Sequence, residues 1–327
     1  MSCLDSKYRF SNSSDIDLIS FGELLVDLIT NMEEVILSEA EQFSRYFGGS
    51  AGNVAVNAKR LGAEIRILSR IGDDFFGDFL LNVLHRENIN TESIQIDKKR
   101  RTPLVFVNKT SGTPSWLAYR DADQYIKFDN QVKRIVENTK IIYLTTYILS
   151  QKTSRETALK VLEMIKNDEE KLLAFDPCYR PILWPEKDNG EKIVKKIIST
   201  AEFIKPSLDD AEYLFGPDTP ENYIEKYLQV GANIVILTMG ENGVLVSDGK
   251  EKFRLKVYSK KVVDVTGAGD SFWAGFINGI LTGMKVKDAV KLGNASAAFK
   301  IRGVGALSPV PDKKYLIKYI KEQEALQ

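Results

Sequence analysis

The sequence predicts an α/β fold with a mostly parallel central sheet and helices on both faces. In its second half, apolar segments of strand length alternate with amphipathic segments of helix length. Strands are predicted at 141–145, 171–176, 202–205 and 233–239, and helices at about 152–166, 188–199, 207–215 and 220–229. This alternation is typical of a parallel sheet covered on both faces. A hairpin pattern over 100–125 interrupts the alternation and predicts a small additional sheet.

The first half adds elements to the same layered arrangement. A long apolar run over 17–28 predicts a buried strand, 64–71 predicts another, and 75–86 has helical spacing. Asp27 lies inside the first run, although carboxylates are rarely buried. It marks either the exposed end of a strand or a carboxylate that reaches substrate hydroxyls from the strand edge.

The hairpin pattern consists of two β-like segments, 103–108 and 115–120, on either side of the polar residues 109–113. We expect a small antiparallel sheet outside the main one, placed to act as a lid. The lid would be formed by insertions at about 31–46 and 98–125 within one domain that spans 1–327. Arg120, at the end of the second segment, is either a surface charge or a contact to a polar ligand.

Composition argues against several classes of protein. The 327 residues include 45 Lys+Arg and 45 Asp+Glu, which leaves no basic excess for a nucleic-acid surface. The single histidine argues against a Ser-His-Asp triad or a histidine-rich metal site, and two cysteines give no disulfide framework. The sequence shows no leader-like or membrane-length apolar run. We therefore expect a cytoplasmic protein without a membrane or nucleic-acid partner.

The segment 264–270, Asp-Val-Thr-Gly-Ala-Gly-Asp, is the strongest candidate for a functional site. A β-like segment over 253–263 precedes it, and Phe272, Phe276 and Ile280 follow at helical spacing. A small-residue turn at 267–269 would let the amide groups of a helix N-terminus converge on an anion. Asp270 beside that turn is either a helix N-cap or an acceptor for a proton from a nucleophile.

A second turn of small residues covers 47–53 and leads into a helix that ends near Gly62. It lacks the Gly-x-Gly-x-x-Gly pattern of a dinucleotide site. Its glycines would let a ligand approach the backbone, and Asn53 offers both a donor and an acceptor. Ligands of parallel sheets bind beyond the carboxyl ends of the strands, and four polar residues are predicted at such ends: Asp176, Lys205, Thr238 and Asp264.

Two separated motifs carry a resemblance to carbohydrate kinases of the ribokinase (PfkB) family. The first is Gly49-x-x-x-Asn53-x-Ala55, and the second is 264–270 followed by Ala274-Gly275. The resemblance covers about 16–312 and implies a ribokinase-like fold and an ATP-dependent sugar kinase. It implies that ATP and Mg²⁺ take part, that a monovalent cation such as K⁺ binds, and that homodimers form through the lid.

The resemblance also implies roles for individual residues. Asp270 would be the base that accepts the proton of the sugar hydroxyl, and Gly267, Ala268 and Gly269 would form the anion hole. The residues that would contact the sugar are Asp27, Gly48, Gly49, Asn53, Arg120 and Arg180. Those that would contact the nucleotide are Lys205, Ser207, Thr238, Gly240, Gly243 and Asn294. Those that would contact the monovalent cation are Asp264, Thr266, Ala298 and Gly303. Asp210 would act on Mg²⁺ through water.

Within the family, the segments 22–27, 119–123 and 176–184 are similar to those of fructokinases, which implies phosphorylation of D-fructose to fructose 6-phosphate. A 2-keto-3-deoxygluconate kinase is the alternative, with ribose or a nucleoside as further substrates. Relatives usually carry Asn where this chain has Cys178, and ribokinases carry Asn-x-x-Glu where it has Ser207 to Asp210. A non-catalytic sugar or nucleotide sensor would show a damaged base or anion hole, and both are intact in the sequence.

Overall fold

The structure is a computed structural model that describes residues 2–11, 14–109, 115–185, 188–259 and 261–325. The strands of the described residues are, in chain order, β1 Ile16–Phe21, β2 Leu25–Glu33, β3 Phe43–Gly48, β4 Ile65–Gly72, β5 Ile94–Asp97, β6 Leu104–Lys109, β7 Trp116–Tyr119, β8 Thr139–Thr145, β9 Leu172–Asp176, β10 Phe203–Ile204, β11 Ile234–Thr238, β12 Val244–Ser247 and β13 Lys252–Leu255.

Helices connect most of these strands. They are, in chain order, α1 Ser50–Arg60, α2 Phe75–Arg86, α3 Asn130–Glu137, α4 Thr146–Leu149, α5 Lys152–Ile165, α6 Gly190–Ile198, α7 Leu208–Phe215, α8 Pro220–Val230, α9 Ala268–Leu281, α10 Val286–Lys300 and α11 Lys313–Ala325. None of them combines the length and apolar character needed to cross a membrane, within the ranges given above.

A nine-stranded sheet forms the centre of the fold, in the order β13-β12-β11-β10-β9-β8-β1-β4-β5. Along this order, all neighbouring strands from β11 to β5 pair in parallel. β12 and β13 pair antiparallel and form one edge of the sheet. Apolar clusters cover both faces of this sheet. Because β1 connects to β4 on one side and pairs with β8 on the other, the strand order reverses at β1. A crevice for ligands is expected at that point, beyond the carboxyl ends of the strands.

A separate four-stranded sheet has the order β3-β2-β6-β7. The hairpin predicted over 100–125 is confirmed, since β6 and β7 pair antiparallel with Leu104 opposite Tyr119. The sheet is nevertheless mixed rather than antiparallel, because β2 and β6 run parallel. It also begins at Leu25, before the predicted insertion at 31–46. Residues 110–114 of the predicted hairpin loop lie outside the described residues.

The single strand predicted over 17–28 is two strands in two different sheets. β1 ends at Phe21 in the central sheet, and β2 begins at Leu25 in the small sheet. Residues 21–26 on both sides of the break are all buried, including Glu23, so burial continues across the break. Gly22 permits the crossing, because a Cβ at this position would lie 2.7 Å from Thr145 Oγ1.

The strand predicted over 253–263 is also shorter than expected. β13 ends at Leu255, and Val262 and Val263 are exposed. Asp264 therefore does not lie at a strand end; instead its amide and that of Val263 donate to the carbonyl of Ile301 after α10. β-branched residues favour strands only where a neighbouring strand or a core covers them. Asp176, Lys205 and Thr238, by contrast, do lie at the ends of β9, β10 and β11.

Helix α9 is the most buried helix next to the crevice. Phe272, Phe276 and Ile280 are buried as predicted from their spacing, and Trp273 on the neighbouring face is fully buried as well. The ring of Phe276 packs edge-on against that of Phe203 in β10, with centroids 4.9 Å apart. This packing fixes the N-terminus of α9 at the carboxyl ends of the central strands.

Candidate active site

The first turn of α9 presents free backbone amides to the crevice. The helix begins at Ala268, after Gly267 as N-cap in the left-handed conformation, with a φ of 74°. A Cβ on Gly267 would lie 2.6 Å from the Cβ of Ala306, so both the backbone angle and the packing require glycine. Gly267 makes no side-chain cap, and the amide of Ala268 donates to the carbonyl of Val265 at 3.0 Å. The amides of Gly267 and Gly269 have no backbone partner among the described residues and are the ones available to an anion.

Asp270 lies inside the first turn of α9 and does not act as its N-cap. Its Oδ2 accepts a hydrogen bond from Asn53 Nδ2 at 2.8 Å, which joins α9 to α1. Asp270 is only 8% exposed. Burial raises its pKa to about 6, and the nearby Asp176 carboxylate raises it further, whereas Asn53 and Lys205 lower it. A carboxylate with this pKa is mostly ionised at neutral pH and can accept a proton.

The turn before α1 is held by Glu23, which lies between β1 and β2. Glu23 Oε1 accepts from the amide of Ser50 at 2.9 Å, and Oε2 accepts from Thr145 Oγ1 at 2.7 Å. A carboxylate is favourable at a helix N-terminus because it satisfies a free amide. Gly49 has a φ of 91°, and a Cβ there would lie 2.4 Å from the carbonyl oxygen of Glu23. Burial raises the pKa of Glu23 to about 7.

Asp27 faces the same crevice from β2. Its register partner in β3 is Tyr46, and a Cβ on the nearby Gly48 would lie 2.2 Å from Asp27 Oδ2. Glycine at this position therefore makes room for the carboxylate. Burial raises the pKa of Asp27 to about 7, with smaller contributions from the charges of Asp270 and Glu23. At neutral pH Asp27 can thus donate as well as accept a hydrogen bond.

A fourth carboxylate, Asp176, lies below the crevice. Its Oδ2 accepts from Trp273 Nε1 at 3.0 Å and from the hydroxyl of Tyr143 at 3.2 Å. The ammonium group of Lys205 lies 3.8 Å from the same oxygen. Lys205 is buried, and a Cβ on Gly269 would lie 3.3 Å from its Nζ. The sequence-predicted Lys205 therefore brings a cation to the free amides of α9.

A cavity of about 660 Å³ opens beside the first turn of α9. It brings together many of the residues predicted for the nucleotide and anion: Thr238, Gly240, Gly243, Ala268, Gly269 and Asn294. Its wall also includes apolar side chains such as Val257 and Phe272, which suit a flat aromatic base. Asn294 donates to the carbonyl of Lys256 at 2.8 Å and so holds this wall in place. Ser207 is not in the lining, but its backbone bridges to that of Thr238.

Both arginines predicted to contact substrate are already paired within the protein. Arg120 binds Asp123, with an Nη2–Oδ2 distance of 2.7 Å, and both side chains are almost completely buried. Arg180 donates to Asp210 Oδ1 at 2.5 Å. Neither guanidinium group is therefore a free cation in the crevice.

Asp210 is similarly occupied. Its Oδ2 accepts from the amide of Ser207, whose hydroxyl accepts in turn from the amide of Asp210, and this capping box starts α7. The departure at Ser207 and Asp210 from the family pattern thus has a structural role here. The described residues contain no group of three or more His, Cys, Asp or Glu side chains placed to hold a metal ion. Both carboxylate oxygens of Asp210 are engaged within the protein, and its action on Mg²⁺ through water stays a prediction.

A lysine lies beside Asp264, one of the four residues predicted to bind a monovalent cation. Asp264 Oδ1 accepts from the amide of Thr266 and Oδ2 from that of Gly305. Lys300, at the end of α10, is fully buried and donates through Nζ to the carbonyl of Asp264 at 2.8 Å. The same Nζ lies 3.9 Å from Asp264 Oδ2. An ammonium group therefore lies beside Asp264, where that residue was expected to meet K⁺. The contacts expected of Thr266, Ala298 and Gly303 with a cation stay predictions.

The sequence does not predict that two polar atoms near the crevice would lack a hydrogen-bond partner. Asn53 Oδ1 and the hydroxyl of Tyr147 are buried without a hydrogen-bond partner among the described residues. The Tyr147 ring, in α4, lies under the Arg120 guanidinium, 3.9 Å from its carbon to the ring centroid. Burial raises the pKa of Tyr147, the charge of Arg120 lowers it, and nearby carboxylates that include Glu23 and Asp27 raise it, so Tyr147 lies near two carboxylates of the crevice. Buried polar atoms without a partner indicate a polar ligand.

We expect that Asp27→Asn raises stability at alkaline pH. The pKa of Asp27 is about 7 in the folded protein, above its value in the unfolded chain, so its stabilising contribution exists at low pH and is lost as the pH rises through 7. The variant should therefore gain on the order of 1 kcal/mol over the wild type at pH 8 and nothing at pH 4. Urea unfolding at both pH values measures this difference.

Asp97→Asn is the control with the opposite sign. Hydrogen bonds and two arginines lower the pKa of Asp97 to about 2, so its contribution is present at neutral pH and lost on acidification. That variant should be less stable than the wild type at pH 8. Equal stability of Asp27→Asn and the wild type at pH 8 would contradict the buried, like-charged environment described for Asp27.

Comparisons with known proteins agree with the fold. The model of the pfkB family carbohydrate kinases matches residues 15–313. A Thermoanaerobacterium thermosaccharolyticum protein named ATP-dependent 6-phosphofructokinase is 40% identical over 298 residues, which cover 90% of this chain and 91% of that protein. A Clostridium perfringens 5-dehydro-2-deoxygluconokinase is 29% identical over 326 residues, which cover 97% and 96%.

Solved structures give the same result. The structure of Halothermothrix orenii fructokinase shares 50% identity with a TM-score of 0.78, and the match covers 88% of this chain and 100% of that one. An uncharacterized sugar kinase from Pyrococcus horikoshii, solved in complex with ATP, shares 32% identity with a TM-score of 0.81, covering 94% and 99%. These similarities confirm the predicted ribokinase-like fold. The chain therefore belongs to the pfkB family of carbohydrate kinases, enzymes that transfer phosphate to a sugar hydroxyl.

Proposed function

We propose that this enzyme phosphorylates the primary hydroxyl of D-fructose with ATP, giving fructose 6-phosphate and ADP. The observation that carries the proposal is the charge of the crevice. Its polar groups are carboxylates, neutral donors and the Lys205 ammonium at the start of α9, and the two arginines predicted to contact the sugar are already in ion pairs. A neutral polyhydroxy sugar can satisfy such groups without bringing a second negative charge among carboxylates. The 50% identity to a fructokinase structure supports the same substrate.

Asp270 is proposed to act as the general base. As the sugar oxygen attacks the γ-phosphorus of ATP, its proton passes to Asp270, and the bond between the γ-phosphorus and the bridging oxygen of ADP breaks. Asn53 holds Oδ2 of this carboxylate by a 2.8 Å hydrogen bond, and a hydrogen bond from the Ser50 side chain also stabilises its ionised form. The pKa of about 6 keeps most of this carboxylate ionised at neutral pH, and it is closer to that pH than the pKa of an ordinary aspartate.

The first turn of α9 is proposed to stabilise the transferring phosphoryl group. The charge that develops on its oxygens would meet the amides of Gly267 and Gly269, the positive end of the helix and the buried ammonium of Lys205. The adenine and ribose would occupy the cavity of about 660 Å³ between β11, β12 and α10. Mg²⁺, when bound, would neutralise the ATP phosphates; with Asp210 engaged by Arg180 and Ser207, it would be held mainly by those phosphates.

The name of one relative favours a second candidate substrate. The relative named ATP-dependent 6-phosphofructokinase is 40% identical, which makes fructose 6-phosphate the rival of fructose. An anionic sugar needs a cation at its charged end, and Arg120 and Arg180 would have to leave Asp123 and Asp210 to supply it. The same argument disfavours 2-keto-3-deoxygluconate, which carries a carboxylate.

We also propose that the chain is one domain in which the β3-β2-β6-β7 sheet closes over the sugar as a lid, excluding water during transfer. The outer residues Trp116, Leu117 and Tyr119 are exposed, and a homodimer through this sheet would cover them. Sedimentation that shows only a monomer at micromolar concentration would contradict the dimer.

A sugar panel tests the proposed substrate. ADP release coupled to NADH oxidation is measured with ATP and Mg²⁺ on fructose, fructose 6-phosphate, 2-keto-3-deoxygluconate, ribose, tagatose and adenosine. We expect the highest kcat/KM on fructose, because it is neutral and the two arginines predicted to contact substrate, Arg120 and Arg180, are already in ion pairs. A higher value on fructose 6-phosphate or the keto-acid would overturn the proposal while leaving the kinase chemistry intact.

Loss of the proposed base is tested with Asp270→Asn. The amide cannot accept the proton, so turnover should fall by about 10²–10⁴-fold. In the wild type, kcat/KM should decline as the pH falls through about 6, because protonation removes the base. Near-normal turnover of Asp270→Asn would contradict the role.

The hydroxyl of Tyr147 is proposed to contact the sugar. Tyr147→Phe keeps the ring beneath Arg120 and removes only the unpaired hydroxyl, so KM for fructose should rise about tenfold with little change in kcat or in KM for ATP. Tyr227→Phe is the matched control, because its hydroxyl is also buried and unpaired among the described residues but packs with Phe215 in the core. An unchanged KM for fructose in Tyr147→Phe would exclude the contact.

A further inference from the structure

Lys300 occupies a chemically unusual position for a lysine. Its side chain is completely buried at the carboxyl end of α10, next to the motif that precedes α9. Lysine is almost never fully buried unless its charge is compensated. Here the compensation comes from the carbonyl of Asp264 at 2.8 Å and from the Asp264 carboxylate at 3.9 Å. The free carbonyls at the end of α10 add further negative potential.

These surroundings are those that a monovalent cation requires. K⁺ binds where backbone carbonyls and a carboxylate converge in a buried loop, and an alkylammonium group has the same charge and a similar size. The Asp264 carboxylate also fixes the loop, because its two oxygens accept from the amides of Thr266 and Gly305. The cationic centre beneath this loop is therefore part of the polypeptide.

Lys300 lies beneath the loop that leads into α9. Gly267 packs against Ala306, on the segment that Gly305 ties to Asp264. Lys300 is also close enough to Asp270 for the two charges to interact. An ammonium at this position both holds the loop and adds positive potential under the amides of residues 267–269.

We infer that the Lys300 ammonium takes the place of a monovalent cation beside the 267–269 turn, so that this kinase works without K⁺. The inference rests on the role proposed above for that turn. The Lys300 ammonium is a covalently attached cation in place of an exchangeable ion. With it in place, the enzyme would not depend on K⁺, as the resemblance to the family implied it would.

The first test compares the wild type in KCl and in tetramethylammonium chloride at equal ionic strength. Tetramethylammonium is too large for a buried carbonyl site, so it serves as the inert cation. We expect the same kcat and KM in both salts and no K⁺-specific rise in melting temperature. Activation of the wild type by K⁺, or a K⁺-specific rise in its melting temperature, would overturn the inference.

The second test uses Lys300→Met, which keeps the length and apolar stem of the side chain and removes its charge. In tetramethylammonium chloride its turnover should fall by at least about tenfold, and KCl should restore part of the loss. KCl should also raise the melting temperature of this variant alone, because an ion that binds only the folded state stabilises it. Should Lys300→Met fail to fold, Lys300→Gln is measured in its place.

Lys171→Met is the matched control. Lys171 is also mostly covered and lies 3.0 Å from Asp168, but it precedes β9 and is distant in sequence from the loop. It should show no response to K⁺. A Lys300 variant as active as the wild type without K⁺, or one that folds yet gains nothing from K⁺, would contradict the replacement. If no sugar of the panel is turned over, the proposed substrate fails, and the melting-temperature comparison still decides the role of Lys300.

Discussion

The 2.8 Å hydrogen bond from Asn53 to Asp270 is the interaction on which the site depends. It joins the first turns of α1 and α9, two helices whose N-termini meet at the carboxyl ends of the central strands. Because the bond lies in a buried region, it keeps Asp270 ionised against the cost of burial. The sugar side and the phosphate side of the site are thereby held at one defined geometry.

Around this bond the fold gathers more negative charge than a stable core would carry. Glu23, Asp27 and Asp176 lie near Asp270, and burial raises the pKa of each. Each is compensated differently: Glu23 by the start of α1 and Thr145, Asp176 by Trp273 and Lys205. Asp27 has the least compensation. Asp27 is thus the carboxylate best placed to exchange hydrogen bonds with a ligand. Functional sites usually keep such poorly compensated groups at a cost in stability.

Much of this arrangement follows from local sequence. Small residues before a helical pattern predict the anion site at 267–269, and the structure gives the physical reason, since Gly267 has a positive φ and contacts Ala306. The alternating pattern after residue 139 likewise predicts the central sheet, because each strand and helix is fixed by its own periodicity. The strand predictions over 17–28 and 253–263 were too long. In the first segment burial continued past the end of the strand, and in the second the β-branched composition did.

The remaining features depend on long-range pairing that periodicity does not encode. Glu23 meets Thr145 from 122 positions away, and Lys300 meets Asp264 from 36 positions away. Arg120 and Arg180 were expected to face substrate, yet Asp123 and Asp210 engage them. A sequence shows which charges exist, whereas only the fold shows which of them are already neutralised. The substrate preference proposed here depends on that difference.

The most direct measurement of the central claim is a ¹³C NMR titration of the protein labelled at the aspartate carboxyl carbons. The Asp270 resonance is assigned by its absence in Asp270→Asn. The account predicts that this carboxyl titrates near pH 6 in the free enzyme, because it is buried beside Asp176 and held by Asn53. Titration near pH 4, as for an exposed aspartate, would contradict the buried base on which the proposed chemistry depends.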